Sequence, residues 1–589
     1  MARMDSPQRK PKDTKGTFLR LMSYIGTYKM ILFFVILLCF GSNVLALLGP
    51  DFAGKAINEA AAGKGKVNFD MVYFYAKRML FCYLCSSAIS IATSMLMMHV
   101  SKWIARKMRR DVFEKLMLLP VGFFDQNQAG DIISRVSYDI EVVSGCLATD
   151  IVQILNSLVT VIGSLFMMIL ISPLLAVVMI FTIPTAIIYT TKIRKITRPK
   201  FSHRSKSYGI MNGFVEEMFS GQKTIMAYAY ENRVQENFDK VNQNAADAYY
   251  DADYYGITMG PTVGLINNLG LSLIAVFGSV LYMLQMISLG QISSFVLYSR
   301  KFSGPINEIA NIVNELYSAL SAAERVFSLL DETEEIKDVE NAQVLDNVQG
   351  NVTLKDVNFG YEKGKTIIHK LNLEAPAGKL IAIVGPTGAG KTTIINLLMR
   401  FYDVDSGQIL VDGKEIRSCT RESLRSAYAM VLQDTWMFKG TVFENIAYGK
   451  EGATMEEVVA AAKAAHIHPF IERLPEGYQT VISEDGGNIS KGQKQLLTIA
   501  RAMLYNAKML ILDEATSNVD TSTERHIQKA MRELMKDKTC FVIAHRLSTI
   551  QHADHILVVD HGDVVEQGTH ESLMERRGFY YRLYAAQFE

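Results

Sequence analysis

The chain has 589 residues, of which 49% are hydrophobic, and its net charge is +1. A chain of this length can form about three or four domain-sized units. The balanced charge argues against a nucleic-acid partner, and the six scattered cysteines imply no disulfide framework.

Long uncharged stretches in the first half of the chain predict membrane spans. They are Met30 to Pro50, Met79 to Ser101, Ile151 to Thr191 and Tyr254 to Ser299. One crossing needs about 20 apolar residues. The last two stretches are therefore expected to form helical hairpins, broken near Ser172-Pro173 and near Ser288-Leu289-Gly290. The sequence thus predicts six membrane-spanning helices.

Basic residues precede the first predicted span and follow the second. They are Arg3, Arg9, Lys10, Lys12, Lys15 and Arg20, and Lys102, Arg106, Lys107, Arg109, Arg110 and Lys115. Because Lys and Arg are retained on the cytoplasmic side, we expect a multi-pass protein of the cell membrane with both termini in the cytoplasm. The amphipathic stretch Thr17 to Ile25 predicts either an entry helix along the inner membrane surface or an extension of the first span.

Two long segments join spans two and three and spans four and five, and they predict helical extensions into the cytoplasm. Their turns are expected at Pro120 to Asp125 and at Gly221 to Tyr228. The adjacent aromatic residues Phe123 and Phe124 indicate a contact with a partner surface. Composition changes at the acidic stretch Asp331 to Glu335. We therefore expect a transmembrane domain over residues 1–330 and a second, cytoplasmic domain over 331–589.

The second half of the chain alternates strand-like and helix-like segments. Four apolar runs predict buried strands of an α/β fold, at Leu380 to Val384, Met509 to Leu512, Phe541 to Ala544 and Ile556 to Val559.

The first of these strands runs into Gly385-Pro386-Thr387-Gly388-Ala389-Gly390-Lys391-Thr392, which fills each fixed position of the phosphate-loop pattern G-x-x-x-x-G-K-[ST]. Small residues let backbone N–H groups turn towards phosphates, and Lys391 adds a positive charge. The Thr392 hydroxyl can ligate Mg²⁺ at the start of the next helix. The residues expected to bind nucleotide here are Gly385, Thr387, Gly388, Gly390, Lys391, Thr392 and Thr393.

Two carboxylates follow the second predicted strand. Asp513 and Glu514 come directly after Leu512, at the strand end where a doubly wound sheet binds its ligand. Asp513 is expected to hold the Mg²⁺ shell. Glu514 is expected to orient or deprotonate the water that attacks the γ-phosphate.

Between these motifs, Ile489-Ser490-Lys491-Gly492-Gln493 resembles the Leu-Ser-Gly-Gly-Gln signature of ATP-binding cassette (ABC) transporters. Six predicted spans ahead of one cassette resemble the half-transporter layout of the exporters, and the two cytoplasmic turns match their coupling helices. The resemblance covers the whole chain. It implies a membrane α-helical bundle fused to a cytoplasmic α/β P-loop nucleotide-binding domain.

The resemblance also assigns roles, with ATP and Mg²⁺ as cofactors. It implies that Tyr361 stacks on adenine, that His545 senses the γ-phosphate, and that Gln433 links Mg²⁺ or the attacking water to the membrane domain. The signature residues Ser490, Gly492 and Gln493 would contact the nucleotide held by a second cassette. Asp520 ends the run Ser517-Asn518-Val519-Asp520, which matches the crossing loop of the family.

In this family the signature of one cassette closes over the phosphates of another, so a second half-transporter is expected as partner. Here Lys491 replaces a glycine and Ile489 a leucine, whereas Glu514 and His545 are intact. This combination resembles the catalytically intact subunit of bacterial heterodimeric multidrug exporters. We therefore expect a non-identical partner with a standard signature.

The implied function is ATP-driven efflux of lipophilic or amphipathic compounds of the multidrug type by alternating access. Uncharged helices rich in Met and Phe suit small lipophilic substrates and suit membrane lipids equally. The alternatives are a homodimeric lipid or peptide exporter, and a channel or regulator gated by ATP.

Overall fold

The computed structural model describes residues 13–63, 65–362, 364–432, 435–483, 488–513, 520–544 and 550–588; within helices, side chains are described except at 179–183, 186, 187, 259, 306–311, 521, 587 and 588. The chain divides into two compact units. The first comprises Met1–Leu119 and Asn127–Thr333, and the second comprises Pro120–Gln126 and Glu334–Glu589. The segment Pro120–Gln126, which chain position places in the predicted transmembrane domain, thus belongs to the second unit.

The first unit is helical. Its helices are α1 (Thr14–Gly26), α2 (Lys29–Ala60), α3 (Phe69–Met117), α5 (Ala129–Ile171), α6 (Pro173–Ser220), α7 (Gln222–Ala227), α8 (Glu231–Met283) and α9 (Leu289–Leu330), with α4 (Val121–Gln126) belonging to the second unit. Two π-helical turns, Arg135–Asp139 and Cys146–Asp150, lie within α5.

In the described part of the chain, four helices are long and apolar enough to cross a membrane, namely α2, α3, α5 and α8. Six spans therefore remain a prediction. Both predicted hairpin breaks are confirmed. The Ser172 hydroxyl accepts the N–H of Leu175 at the start of α6, and Ser288 and Gln291 form a reciprocal capping box at the start of α9.

The N-terminal amphipathic stretch forms a helix of its own. It ends at Gly26, and the next helix begins at Lys29. The buried residues Thr17, Leu21 and Ile25 recur every four positions and define its inner face. Both cytoplasmic turns of the sequence prediction are also short helices, α4 and α7.

A proline inside α2 is compensated by side chains of α9. Pro50 has no N–H to donate to the Ala46 carbonyl one turn earlier. Lys301 Nζ donates to that oxygen at 2.8 Å, and the buried Tyr298 hydroxyl donates to the Leu47 oxygen at 2.6 Å. Ser294 Oγ donates to the Pro50 oxygen at 2.7 Å. A neighbouring helix thus supplies the donor that the Ala46 carbonyl loses to the proline, and it also donates to two nearby carbonyl oxygens.

We expect Tyr298→Phe to destabilise the first unit by about 1–2 kcal/mol, because it leaves the Leu47 carbonyl without this donor in an apolar setting. The midpoint of thermal unfolding in detergent, followed by circular dichroism, should fall. Ser279→Ala is the control, since the Ser279 hydroxyl donates to the Ala275 carbonyl of its own helix at 2.8 Å. Equal midpoints for the two variants would contradict the role given to Tyr298.

The described part of the second unit contains three sheets of six, four and two strands, the last formed by Gly440–Thr441 and Val481–Ile482. Its strands are β1 (Val352–Phe359), β2 (Ile368–Ala375), β3 (Leu380–Val384), β4 (Ser406–Val411), β5 (Lys414–Glu415), β6 (Tyr428–Val431), β7 (Gly440–Thr441), β8 (Val481–Ile482), β9 (Met509–Asp513), β10 (Thr539–Ile543), β11 (His555–Asp560) and β12 (Asp563–Gly568). A six-stranded sheet has the order β12-β11-β3-β10-β9-β6, parallel except at β12. An antiparallel sheet has the order β2-β1-β4-β5.

Helices surround these sheets. They are α10 (Lys391–Leu398), α11 (Arg421–Ser426), α12 (Val442–Ala447), α13 (Met455–Ala464), α14 (His468–Ile471), α15 (Lys491–Tyr505), α16 (Thr521–Met535), α17 (His570–Arg576) and α18 (Phe579–Phe588).

The parallel strands are buried on both faces, which explains their continuous apolar sequence. In β3, Ile381 and Ile383 pack into the core shared with the antiparallel sheet. Ala382 and Val384 face the opposite core, which α15 and α16 help to form. The strand that precedes the glycine-rich loop is therefore fixed from both sides.

Candidate functional site

The glycine-rich run forms a tight loop between β3 and α10. Gly388 and Gly390 have φ angles of +83° and +104°, in the left-handed region that side chains disfavour. Gly390 is the residue immediately before α10, so its conformation sets the direction in which the helix starts. A Cβ atom on Gly385 would overlap the Val559 carbonyl. The loop thus exposes backbone rather than side chains at a helix N-terminus, where anions bind.

Lys391 is the first residue of α10, and only 8% of it is exposed. Its ammonium group donates to the carbonyl oxygens of Gly385 at 2.8 Å and of Pro386 at 2.9 Å. Burial lowers the pKa of Lys391, and the negative charge of Asp513 opposes that shift. The Lys391 ammonium group is therefore bound to carbonyl oxygens of its own loop and lies close enough to Asp513, at the end of β9, to interact with its charge.

The hydroxyl groups after Lys391 point in different directions. Thr392 is exposed in the first turn of α10, whereas Thr393 is buried and its Oγ1 lies 3.2 Å from the Tyr361 hydroxyl. Asp513 ends β9, beside Ile543 of β10.

The described residues contain no cluster of three or more His, Cys, Asp or Glu that could hold a metal ion. Magnesium commonly takes one or two protein oxygens together with substrate phosphates. The Thr392 hydroxyl and the Asp513 carboxylate are ligands of that kind.

An aromatic cluster stands beside α10. The ring of Tyr361 is 38% exposed and makes edge contacts with Phe359 at 5.0 Å and with Tyr402 at 4.9 Å between centroids. Asn396 Nδ2 donates to the Tyr361 hydroxyl at 3.3 Å. The Tyr361 ring is thus packed against Phe359 and Tyr402, while part of its surface remains exposed to a ligand that could stack on it.

The signature-like segment forms the start of α15. The Gln493 N–H donates to Ser490 Oγ at 3.3 Å, and the Ser490 N–H donates to Gln493 Oε1 at 2.9 Å. Lys491 is the first helical residue and is exposed, while Gly492 behind it is buried. Ser490 and Gln493 form a reciprocal capping box at the N-terminus of α15. This capping box does not use the side chain at position 491, so the helix start is intact with Lys491 in place of the glycine of the family pattern.

Several predicted site residues lie outside the described residues. They are Gln433, Glu514, His545 and the segment Ser517 to Val519. Asp520 is described. Its carboxylate accepts the N–H of Thr523 at 2.9 Å and caps α16, and this hydrogen bond lowers its pKa.

Sequence reasoning overlooked two features of the second unit. Tyr402, four residues after α10, contacts Tyr361 and hydrogen-bonds Asp125 of α4. Arg421 bonds Asp338, and Arg425 bonds Glu335, which attaches the segment after α9 to the second unit. The signal was the polar and aromatic run Arg400-Phe401-Tyr402-Asp403 directly behind the phosphate-loop helix.

Comparison with known families gives two matches along the chain. Residues 32–306 match the ABC transporter transmembrane region, and residues 368–517 match the ABC transporter domain.

Relatives match over nearly the full length. The chain is 43% identical over 580 residues to the uncharacterized ABC transporter ATP-binding protein YfiC of Bacillus subtilis, covering 98% of this chain and 96% of the relative. It is 45% identical over 544 residues to a fatty acid ABC transporter ATP-binding/permease protein of Mycobacterium tuberculosis, covering 92% and 83%. An ATP-dependent lipid A-core flippase of Haemophilus influenzae is 35% identical, with 98% of both chains covered.

Among solved structures, a bacterial Atm1-family ABC exporter with ATP bound is similar over 95% of this chain and 98% of that chain, with a TM-score of 0.75 and 29% identity.

We expect Gly390→Ala to weaken binding of a fluorescent ATP analogue to the purified protein about tenfold. The variant places a side chain at positive φ, at a cost of about 1–3 kcal/mol, and its Cβ would lie 2.8 Å from Ile368 Cδ1. Gly413→Ala is the matched control, because Gly413 also has positive φ (+79°) but has open space around it. Unchanged affinity in Gly390→Ala would show that the backbone conformation of the loop is not required.

Proposed function

Because this chain belongs to the ABC transporters, with a transmembrane region and an ATP-binding cassette in one polypeptide, we propose that it exports fatty-acid-like or lipid-like amphipathic molecules from the cell. Members of this family are multi-pass membrane proteins that work as dimers and couple ATP hydrolysis to transport. Family membership alone does not specify which molecules are transported or whether they leave or enter the cell.

The observation that carries the substrate class is the near-full-length similarity to a fatty acid transporter at 45% identity. The similarity to a lipid A-core flippase supports the same class of ligand. Both ligands pair acyl chains with a polar head. The uncharged stretch between Tyr254 and Ser299 is compatible with such chains, because it offers no fixed charge that acyl groups would have to avoid.

Efflux of drug-like amphipathic compounds is the second candidate. Relatives with lipid names do not exclude it, since an uncharged helical surface rich in Met and Phe adapts to ligands of different shape.

Hydrolysis is assigned to the site built on the phosphate loop. The loop N–H groups, Lys391 and the first turn of α10 bind the phosphates, and Tyr361 stacks on the base. Thr392 and Asp513, with Gln433, would hold Mg²⁺, which would neutralise phosphate charge. Glu514 accepts a proton from the attacking water, and His545 donates a hydrogen bond to the γ-phosphate.

We also propose that the second subunit is non-identical. Lys491 occupies the position where bare glycine backbone would meet nucleotide across the dimer, whereas the loop residues of this chain match the family pattern. Both termini and the cassette are placed in the cytoplasm, as the basic residues around the first two spans indicate.

Transport can be tested by adding labelled palmitate and MgATP to the medium outside inside-out membrane vesicles, in which export from the cell is measured as uptake into the vesicle. We expect ATP-dependent uptake that Glu514→Gln abolishes, because loss of the general base lowers hydrolysis by about 10²-fold or more. Glu524→Gln, a carboxylate in the first turn of α16, is the control. Uptake of a cationic dye without palmitate uptake would favour the multidrug candidate. ATP-triggered downhill flux alone would indicate a channel.

The heterodimer predicts low ATPase activity for the chain expressed alone. Restoring the usual residue with Lys491→Gly should raise that activity several-fold, because two copies can then close on each other's nucleotides. Lys491→Arg, which keeps the side chain and charge, should leave it low. Full substrate-stimulated activity of the unmodified chain alone would refute a required non-identical partner.

A further inference from the structure

Tyr402 contacts both the Tyr361 ring and the short helix α4. Its ring meets the Tyr361 ring edge to face at 4.9 Å between centroids. Its hydroxyl donates to Asp125 Oδ2 at 2.5 Å. The Tyr402 side chain therefore contacts both Tyr361, the residue proposed to stack on the adenine base, and α4, which connects α3 to α5.

The contact with α4 involves backbone as well as the hydroxyl. A Cβ on Gly122 would lie 2.9 Å from Tyr402 Cε1, so the α4 backbone passes directly over the phenol ring. Phe123, next in sequence, is only 9% exposed. Because Gly122 has no side chain, the Tyr402 ring can lie close enough for its hydroxyl to bond Asp125. A displacement of the ring would therefore displace this six-residue helix as well.

Tyr402 is also tied to the phosphate-loop helix. Arg400, directly after the last turn of α10, has φ +49°, and the Phe401 N–H donates to the Asn396 carbonyl at 2.9 Å. The Arg400 guanidinium is 4% exposed and donates to Asp403 and to the carbonyl oxygens of Ile416 and Cys419. The position of Tyr402 is thus set by α10, whose first residue is Lys391.

The hydrogen bond to Asp125 persists over the physiological pH range. Burial raises the pKa of the Tyr402 hydroxyl, and the Asp125 carboxylate raises it further. The phenol therefore stays protonated and remains a donor. A hydrogen bond to a charged acceptor is stronger than one between neutral groups, so this contact can couple the two segments.

We propose that Tyr402 is a positioning residue that transmits nucleotide occupancy to α4. This inference rests on the proposed stacking of the base on Tyr361. A bound base restricts the Tyr361 ring, which restricts the Tyr402 ring packed against it and favours one arrangement of the Asp125 bond. A ligand shifts a conformational equilibrium only through such a difference in contacts between two states.

The test uses the full-length protein in lipid nanodiscs in the Glu514→Gln background, so that ATP is retained. Hydrogen–deuterium exchange of peptides covering residues 118–130 is measured with and without MgATP. We expect ATP to slow exchange there, and Tyr402→Phe to reduce that protection at least twofold. Its Kd for a fluorescent ATP analogue should change less than threefold. Asp125→Asn should have the same effect, and the double variant should lose no more than either single one.

Tyr505→Phe is the matched control, because the Tyr505 hydroxyl donates to the Ser426 carbonyl at 3.0 Å, away from α4. It should leave the protection unchanged. Tyr361→Ala should abolish ATP affinity; if it does not, the proposed base site fails rather than the coupling. Normal protection in Tyr402→Phe would overturn the proposal. A Tyr402→Phe protein that lost ATP affinity and thermal stability along with the protection would also overturn the proposal, because it would indicate a structural role for Tyr402.

Discussion

The tight turn between β3 and α10 is the constraint on which the candidate site depends. Two residues with positive φ, Gly388 and Gly390, turn the chain out of β3 and into the helix. Because β3 is packed on both faces, the loop has a rigid support on one side and a helix dipole on the other. Lys391 and Thr392 take their positions from this turn, and the Tyr361 side chain contacts the helix through Thr393 and Asn396. A loop held in this way is organised for phosphate before any ligand arrives.

Much of the architecture could be predicted because it depends on local patterns. Uncharged length indicated the membrane region, and the sequences Ser172-Pro173 and Ser288-Leu289-Gly290 indicated helix breaks. The four predicted strands correspond to β3, β9, β10 and β11; the ends of β3 are identical and those of the other three differ by at most two residues. The motifs around Lys391 and Ser490 identified the family, which the full-length relatives confirm. The individual roles of Glu514, His545 and Gln433 stay predictions.

What the sequence did not reveal depends on contacts between distant segments. The Tyr402 hydroxyl bonds a carboxylate 277 positions away, and no local period announces such a pair. Strands β2, β4 and β5 of the antiparallel sheet were also missed. Its strands β2 and β4 alternate exposed and buried residues and are interrupted by register shifts, so they lack the continuous apolar runs that identify central strands.

The proline in α2 has a consequence for how the membrane helices can part. Three successive donors on α9 cover three carbonyl oxygens around Pro50. In hydrocarbon, each uncovered carbonyl costs several kcal/mol (about 2–7). Water can replace the donors, whereas acyl chains cannot. We therefore expect water, rather than acyl chains, to fill the space around Pro50 when α2 and α9 part.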